Sequence, residues 1–276
     1  FFFMGAEKDH FGFEKLTRIV GIDKYYSGED YGNKNHHDGN WGIFDHYFLE
    51  YTAQKLAEAD TPFLATVFNI SSHPPYTIPK EFEQNWPGQN RARKSISYAD
   101  YAIRRFFEKI KQEAWYNNTV FVFVADHSVR SLIADDANAY NSFRIPLFFH
   151  EPGRGVADTL SFPVQQTDIV PSLLELLSYN ESFTSFGTWI SDTSKRYIYN
   201  RYGDNIQVFD DEWMLGFHPA IDKALYFYNY RKDPQLKINL LGAAEEAAVQ
   251  RELEIRVKAF LQRYNGAMIK NGLMAD

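Results

Sequence analysis

The run Thr119-Val120-Phe121-Val122-Phe123-Val124-Ala125 stops abruptly at Asp126-His127-Ser128. An apolar run this short, rich in β-branched residues and without polar alternation, reads as a strand covered on both faces, as in the parallel sheets of α/β proteins. In open α/β sheets ligands bind outside the carboxyl ends of the strands, so Asp126 and His127 fall where chemistry is done. Once the chain leaves the strand, both side chains can turn toward one ion. A carboxylate oxygen beside an imidazole nitrogen suits Zn or Mn better than Ca or an iron–sulfur cluster. The dipeptide also reads as a turn aspartate followed by a loop histidine. Both readings stand at this point.

A second buried strand is predicted over residues 63–70, ending in Ser71-Ser72-His73-Pro74-Pro75-Tyr76. Two prolines after His73 predict a stiff, extended backbone that presents the imidazole at the sheet edge. Taken alone, His73 also reads as a packed or capping histidine. Residues 95–113 give the strongest helical period, with Ile96, Ala99, Ile103, Phe106, Phe107 and Ile110 as the apolar stripe. Strand, crossover helix and strand form a right-handed βαβ unit, which predicts that His73 and Asp126-His127 arrive at the same edge.

Around this centre the pattern is that of an α/β chain. Residues 1–4 read as the tail of a strand, 11–20 as a helix closed by Gly21, and 45–59 as an amphipathic helix. Residues 23–40 read as a long loop in which His36-His37-Asp38 is solvated. A third strand is predicted at 145–149 and a helix at 167–177 with Thr167 as its cap. Beyond Tyr179 four short strands at hairpin spacing form a small antiparallel sheet, and a terminal helix over 245–271 is expected to return to the main sheet. The expected division is 1–180 for the α/β part and 181–276 for the small sheet and terminal helix. No Gly-x-Ser-x-Gly elbow occurs, which disfavours a metal-free α/β hydrolase.

Composition narrows the partners. The net charge of −7 argues against nucleic acid or an anionic membrane surface. The absence of cysteine removes disulfides, thiolate metal sites and a cysteine nucleophile from this chain. No apolar run is long enough to cross a bilayer. The opening Phe1-Phe2-Phe3-Met4-Gly5 lacks an initiator methionine, and the chain is expected to be a piece of a longer protein.

The ordered set Ser-x-His-Pro-Pro-Tyr (71–76), Ser-Tyr-Ala-Asp-Tyr-Ala-Ile (97–103), Ala-Asp-His-Ser (125–128), Arg-Ile-Pro (144–146) and Gln-Thr-Asp-Ile-Val-Pro-Ser-Leu-Leu (166–174) resembles the carboxyl-terminal half of the sulfatase-like domain of lipoteichoic acid synthase-type proteins. These belong to the alkaline phosphatase superfamily, and the resemblance spans essentially the whole chain. It implies an alkaline phosphatase-like α/β fold: a central, mostly parallel sheet flanked by helices, with a small C-terminal antiparallel sheet and terminal helix. It implies a divalent metal (Mn, Zn, Mg or Ca, with Mn or Zn favoured) on Asp126 and His127, and contact of His73 with the phosphoryl or sulfuryl group. Arg130, within one turn of Asp126-His127, is a further candidate for the same edge. The implied activity is metal-dependent transfer or hydrolysis of a phosphoester of the phosphoglycerol type, or of a sulfate ester, through a covalent enzyme intermediate. The implied substrate is an anionic ester or phospholipid head group. The implied location is outside the bacterial cytoplasmic membrane, periplasmic or on its outer face, in a membrane-anchored protein whose spanning helices precede this stretch.

The family's nucleophile and acidic metal ligand lie upstream, so the chain alone is expected to be inactive and to need its amino-terminal half as partner. The family's head-group His-Gly and Trp-x-Arg correspond to Met4-Gly5 and Phe11-Gly12-Phe13, where apolar side chains replace polar ones. Those replacements point to a different or larger anionic ester. The alternative is a non-catalytic module that keeps the fold and acts in binding or assembly at the cell envelope.

Overall fold

The computed structural model describes residues 1–86, 89–128, 138–155, 159–192 and 194–272. The chain divides into two compact units, one of residues 1–122 and 149–155, the other of residues 123–148 and 156–276.

The first unit is built on a parallel three-stranded ladder. Strand β1 (Phe2–Met4) lies between β2 (Tyr25–Tyr26) and β3 (Thr66–Phe68), and Phe2 faces Tyr25 on one side and Thr66 on the other. The central position explains why Phe3 and Met4 are buried. Helix α1 (Phe13–Ile19) joins β1 to β2; α2 (Gly28–Tyr31) and α3 (Asp45–Ala57) lie between β2 and β3. Helix α4 (Arg91–Ile110) follows β3. Phe48, Leu49, Ala53 and Leu56 of α3 meet Ala102, Phe106 and Ile110 of α4 over Phe3, and these form the main core of this unit. Each such large side chain taken from water contributes roughly 1.5–3 kcal/mol.

Several expected boundaries move, each for a local reason. Helix α4 begins at Arg91 because the Asn90 side chain accepts from the Arg93 N–H at 2.9 Å, and its buried face runs through Tyr98 and Ala102 while Ile96 stays exposed. Strand β3 ends at Phe68, short of the expected Ile70, because the N–H groups of Ile70 and Ser71 turn to the Asp45 carboxylate instead of a neighbouring strand. The expected loop 23–40 holds β2, α2 and a turn centred on Asp38, whose Oδ1 accepts from the N–H groups of Asn40, Trp41 and Gly42. His36 stacks on Tyr47 and bonds the Tyr31 hydroxyl, so this segment is packed rather than solvated. Gly42 allows the packing: a Cβ there would stand 2.2 Å from the Gly5 carbonyl oxygen.

Strands β4 (Phe121–Val124) and β5 (Leu147–His150) pair with each other, and each runs from one unit into the other. The Phe121 ring lies by His150, the Phe123 ring stacks on Phe148, and the Ala125 N–H reaches the Pro146 carbonyl. Partners retreat as β4 advances, so the pair is antiparallel. Among the described residues β4 pairs with β5 and not with β3, so the predicted βαβ neighbours do not share a ladder. Burial on both faces of β4 is also not seen: Phe121, Val122 and Phe123 are half-buried and Val124 is exposed.

In the second unit a 3-10 turn (Gln166–Asp168) leads into α5 (Ile169–Leu176). The N-cap position of α5 falls on Asp168 and not on the expected Thr167; the Asp168 carboxylate makes no cap bond to the helix and accepts from the Gln165 N–H at 3.0 Å instead. Strands β6 (Ile198–Tyr202), β7 (Asn205–Phe209), β8 (Trp213–His218) and β9 (Lys223–Asn229) form the predicted antiparallel meander in sequence order. Helix α6 (Ala247–Ile269) lays Leu253 and Val257 against Val208, Leu215, Phe217 and Phe227. It thus packs on the small sheet, where the sequence pointed to the main one. No helix among the described residues is long and apolar enough to cross a membrane.

Candidate active site

The carboxyl end of β4 delivers Asp126 and His127 together. Asp126 Oδ1 accepts from the His127 N–H at 2.9 Å, a closed turn that folds the carboxylate toward its neighbour's ring. His127 Nδ1 lies 2.9 Å from the Ser128 carbonyl, which can only accept, so Nδ1–H donates there and the neutral ring would carry its lone pair on Nε2. That Nε2 is 3.5 Å from Asp126 Oδ2. Two donors each about 2.1 Å from a tetrahedral ion stand about 3.4 Å apart, so this pair fits one edge of a metal coordination shell. The side chains of His127 and Asp126 are 68% and 61% exposed, open to an incoming ion and ester. Two donors make half a site: no group of three His, Asp or Glu gathers among the described residues.

Gln166 holds this end of the strand. Its Nε2 donates to the Ala125 carbonyl at 2.9 Å and to the Asp126 carbonyl at 3.1 Å. Ser128 Oγ donates to the Ser142 carbonyl at 2.7 Å and ties the far side of the turn. Two residues beyond Gln166, the buried Asp168 carboxylate receives Arg196 at 3.0 Å and the Thr188 N–H at 2.9 Å. Sequence reading used the Gln166 stretch for its resemblance and assigned no role to that side chain; a side-chain amide shows its partners only once distant carbonyls are placed.

In the first unit His73 is exposed on the chain leaving β3. The backbone does not run extended there. The His73 N–H returns to the Ile70 carbonyl at 3.3 Å and the Tyr76 N–H to the His73 carbonyl at 2.8 Å, two successive tight turns. His73 Nδ1 sits 3.0 Å from the Pro74 carbonyl, which also receives the Trp41 indole N–H at 2.6 Å, and the Trp41 ring meets the imidazole edge-on at 4.2 Å. Asp45, at the start of α3, anchors the turn from below. Burial pushes its carboxyl pKa up, opposed by the N–H groups of Ile70 and Ser71. Beside it His46 is bonded to the Tyr98 hydroxyl, and burial holds its imidazole down at about 4. Trp41 and Asp45 were missed from sequence because neither lies near His73 along the chain.

Asp126 and His127 are therefore brought together, and His73 has its own anchored setting in the other unit. Arg130 lies outside the described residues. At the positions the resemblance sets against polar head-group residues, Met4 is buried in the core, Phe13 packs beside it, and Phe11 is largely exposed.

Residues 2–179 match the Sulfatase family model. The chain is 28% identical to a lipoteichoic acid synthase-like protein, YvgJ, of Bacillus subtilis over 196 residues, 63% of this chain and 32% of that protein. It is 22% identical to lipoteichoic acid synthase 2 of the same organism over 279 residues, 93% of this chain and 41% of the relative. The chain thus spans about a third of the length of the curated relatives it matches. Among solved structures, an alkaline phosphatase superfamily protein of Vibrio parahaemolyticus superposes with a TM-score of 0.80 at 21% identity, covering 100% of this chain and 66% of that one. The lipoteichoic acid synthase LtaP of Listeria monocytogenes gives 0.72 at 20% identity, covering 95% and 69%.

Proposed function

As the chain belongs to the Sulfatase family, with a sulfatase-like domain of the lipoteichoic acid synthase type in the alkaline phosphatase superfamily, we propose that it contributes to metal-dependent transfer or hydrolysis of a phosphoester or sulfate ester at the cell envelope. One observation carries this reading: at the end of β4 a carboxylate oxygen and an imidazole nitrogen converge at 3.5 Å. The substrate is an anionic ester, of the phosphoglycerol or phospholipid head-group kind or a sulfate. The protein that contains this chain works outside the cytoplasmic membrane and is held there by helices elsewhere in its sequence.

Asp126 Oδ2 and His127 Nε2 would hold a divalent metal, Mn or Zn by the chemistry of the donors, with further ligands from outside this chain. Bound there, the ion would lower the pKa of the attacking hydroxyl and offset charge developing on the transferred group. Gln166 fixes the carbonyls behind the two ligands, and the Ser128 carbonyl sets the His127 tautomer. His73, whose Nδ1–H is directed to the Pro74 carbonyl, would donate from Nε2 to a non-bridging oxygen of the ester or to the departing oxygen as the doubly protonated imidazolium. The nucleophile that takes the group in a covalent intermediate is supplied by residues outside these 276. Arg130 is a further candidate for contact with the anionic group.

The test is metal content and turnover of the full-length protein, wild type beside Asp126→Ala, after chelation and reloading with Mn or Zn. Stoichiometric metal in the wild type, lost in the variant together with at least about 100-fold in turnover of phosphate or sulfate esters, is the expected result. Unchanged metal and turnover in the variant would remove Asp126 from the site. A full-length wild type that takes up no metal and turns over no ester would mark a non-catalytic module of the envelope.

A further inference from the structure

The two carbonyls that Gln166 holds, those of Ala125 and Asp126, flank the Asp126 Cα on either side. A peptide is planar, so one amide bonded to both carbonyls fixes the planes that aim the Asp126 carboxylate. Gln166 itself opens a 3-10 turn of three residues, too short to hold its own shape. The turn is clamped by the Asp168 carboxylate, which accepts from the Gln165 N–H at 3.0 Å, from the Thr188 N–H at 2.9 Å and from Arg196 Nη2 at 3.0 Å. Gly187 lies against it so closely that a Cβ there would stand 2.1 Å from the Thr167 carbonyl oxygen. Arg196 completes the clamp, with Nη1 on the Trp189 carbonyl at 2.6 Å and Nη2 also on the Thr188 carbonyl at 3.3 Å. All of these residues belong to the second unit.

The Arg196 and Asp168 side chains are 5% and 1% exposed. A pair this deeply buried adds little stability over apolar packing of the same volume. Arg196 Nε, moreover, is shut from water and makes no hydrogen bond among the described residues, a cost the pair does not recover. What a planar guanidinium supplies is direction, since its fork meets Asp168 and two carbonyls in one geometry only. From this chain of contacts we infer that Arg196 is a positioning residue for the Asp126–His127 pair, acting through Asp168 and the turn that carries Gln166. The inference rests on the metal role proposed above for that pair. Arg196 fixes Asp168, Asp168 fixes the entry to the turn, and Gln166 at the head of the turn fixes the Asp126 backbone. Metal donors are held to within about 0.2 Å of their ideal distances, so slack in the turn lowers affinity with neither ligand changed. Thr188 and Arg196 lie beyond the family match, which ends at residue 179, so the segment after it reaches back to the proposed site.

Two readouts on the full-length protein test this, one of them free of metal. Arg196→Lys keeps the charge but cannot hold Asp168 and both carbonyls at once. In chelator, hydrogen–deuterium exchange is followed at the His127 N–H, whose bond to Asp126 Oδ1 closes the turn. Arg196→Lys should speed that exchange by roughly tenfold, and should add nothing to it in a Gln166→Ala background. Titration with Mn should then show affinity lowered by roughly tenfold in Arg196→Lys, again without further loss when Gln166→Ala is present. A role confined to holding the fold would lower the melting temperature equally in both backgrounds and leave exchange at His127 unchanged. That result, or effects of the two substitutions that multiply, would overturn the inference. Where Arg196→Lys does not fold, Asp168→Asn, which keeps an acceptor and loses the charge, goes through the same two readouts with the same expected outcomes. Wild type that takes up no Mn, with His127 exchange still coupled to Arg196 through Gln166, would remove the metal reading and leave the positioning of the pair standing.

Discussion

His46 is buried beneath the turn that carries His73, and its imidazole is held neutral there. Its pKa falls from an ordinary 6.5 to about 4 in the fold. Between those values the unfolded chain takes up a proton that the folded chain refuses, so stability is full above pH 6.5 and declines as pH falls toward 4. The loss expected across that window is up to about 3 kcal/mol, read as a falling midpoint in urea titrations at stepped pH. His46→Gln, which cannot charge, should flatten the slope; an unchanged slope would place the titrating group elsewhere. Trp41, Asp45 and Asp168 act at the same scale, and all three escaped the sequence because their partners are remote along the chain. The Asp126-His127 pair was legible because both groups and the bond that joins them lie within two adjacent residues. His73 was legible as an edge residue, but not its turned backbone, which depends on Asp45 twenty-five positions or more before its partners.

At the scale of elements, β4 alone does not hold the end that carries Asp126 and His127; Gln166 braces it from the turn before α5. Gln166→Ala should lower Mn or Zn affinity of the full-length protein by roughly 10- to 100-fold while leaving thermal stability nearly unchanged, as measured by metal titration and a melting curve run in parallel. An unaltered affinity would show that the strand end needs no brace. Period and turn residues made α3, α4 and the four-stranded meander readable before any coordinates, with ends displaced by a few residues. What they could not supply was pairing. Tyr25–Tyr26 is too short to show an alternation, yet it flanks β1, and the pairing of β5 with β4 joins residues that no sequence period links.

For the molecule as a whole, charge is the property that acts at a distance. With 36 acidic and 29 basic side chains, the chain should pass through a heparin column at low salt and show no salt-dependent binding to duplex DNA. Retention that weakens with salt would reveal a basic surface hidden by the net value.

The family match stops at residue 179, yet the chain does not come apart there. Asp168, on the near side, is closed by Thr188 and Arg196 on the far side, and the Gln165 side chain accepts the Tyr199 N–H at 3.0 Å. A gene trimmed to the recognised stretch would delete the guanidinium and the N–H that hold the Asp168 carboxylate, together with the chain packed over it. Anyone shuffling this module between proteins, whether by recombination in nature or at the bench, inherits the small sheet and its helix as part of the cargo.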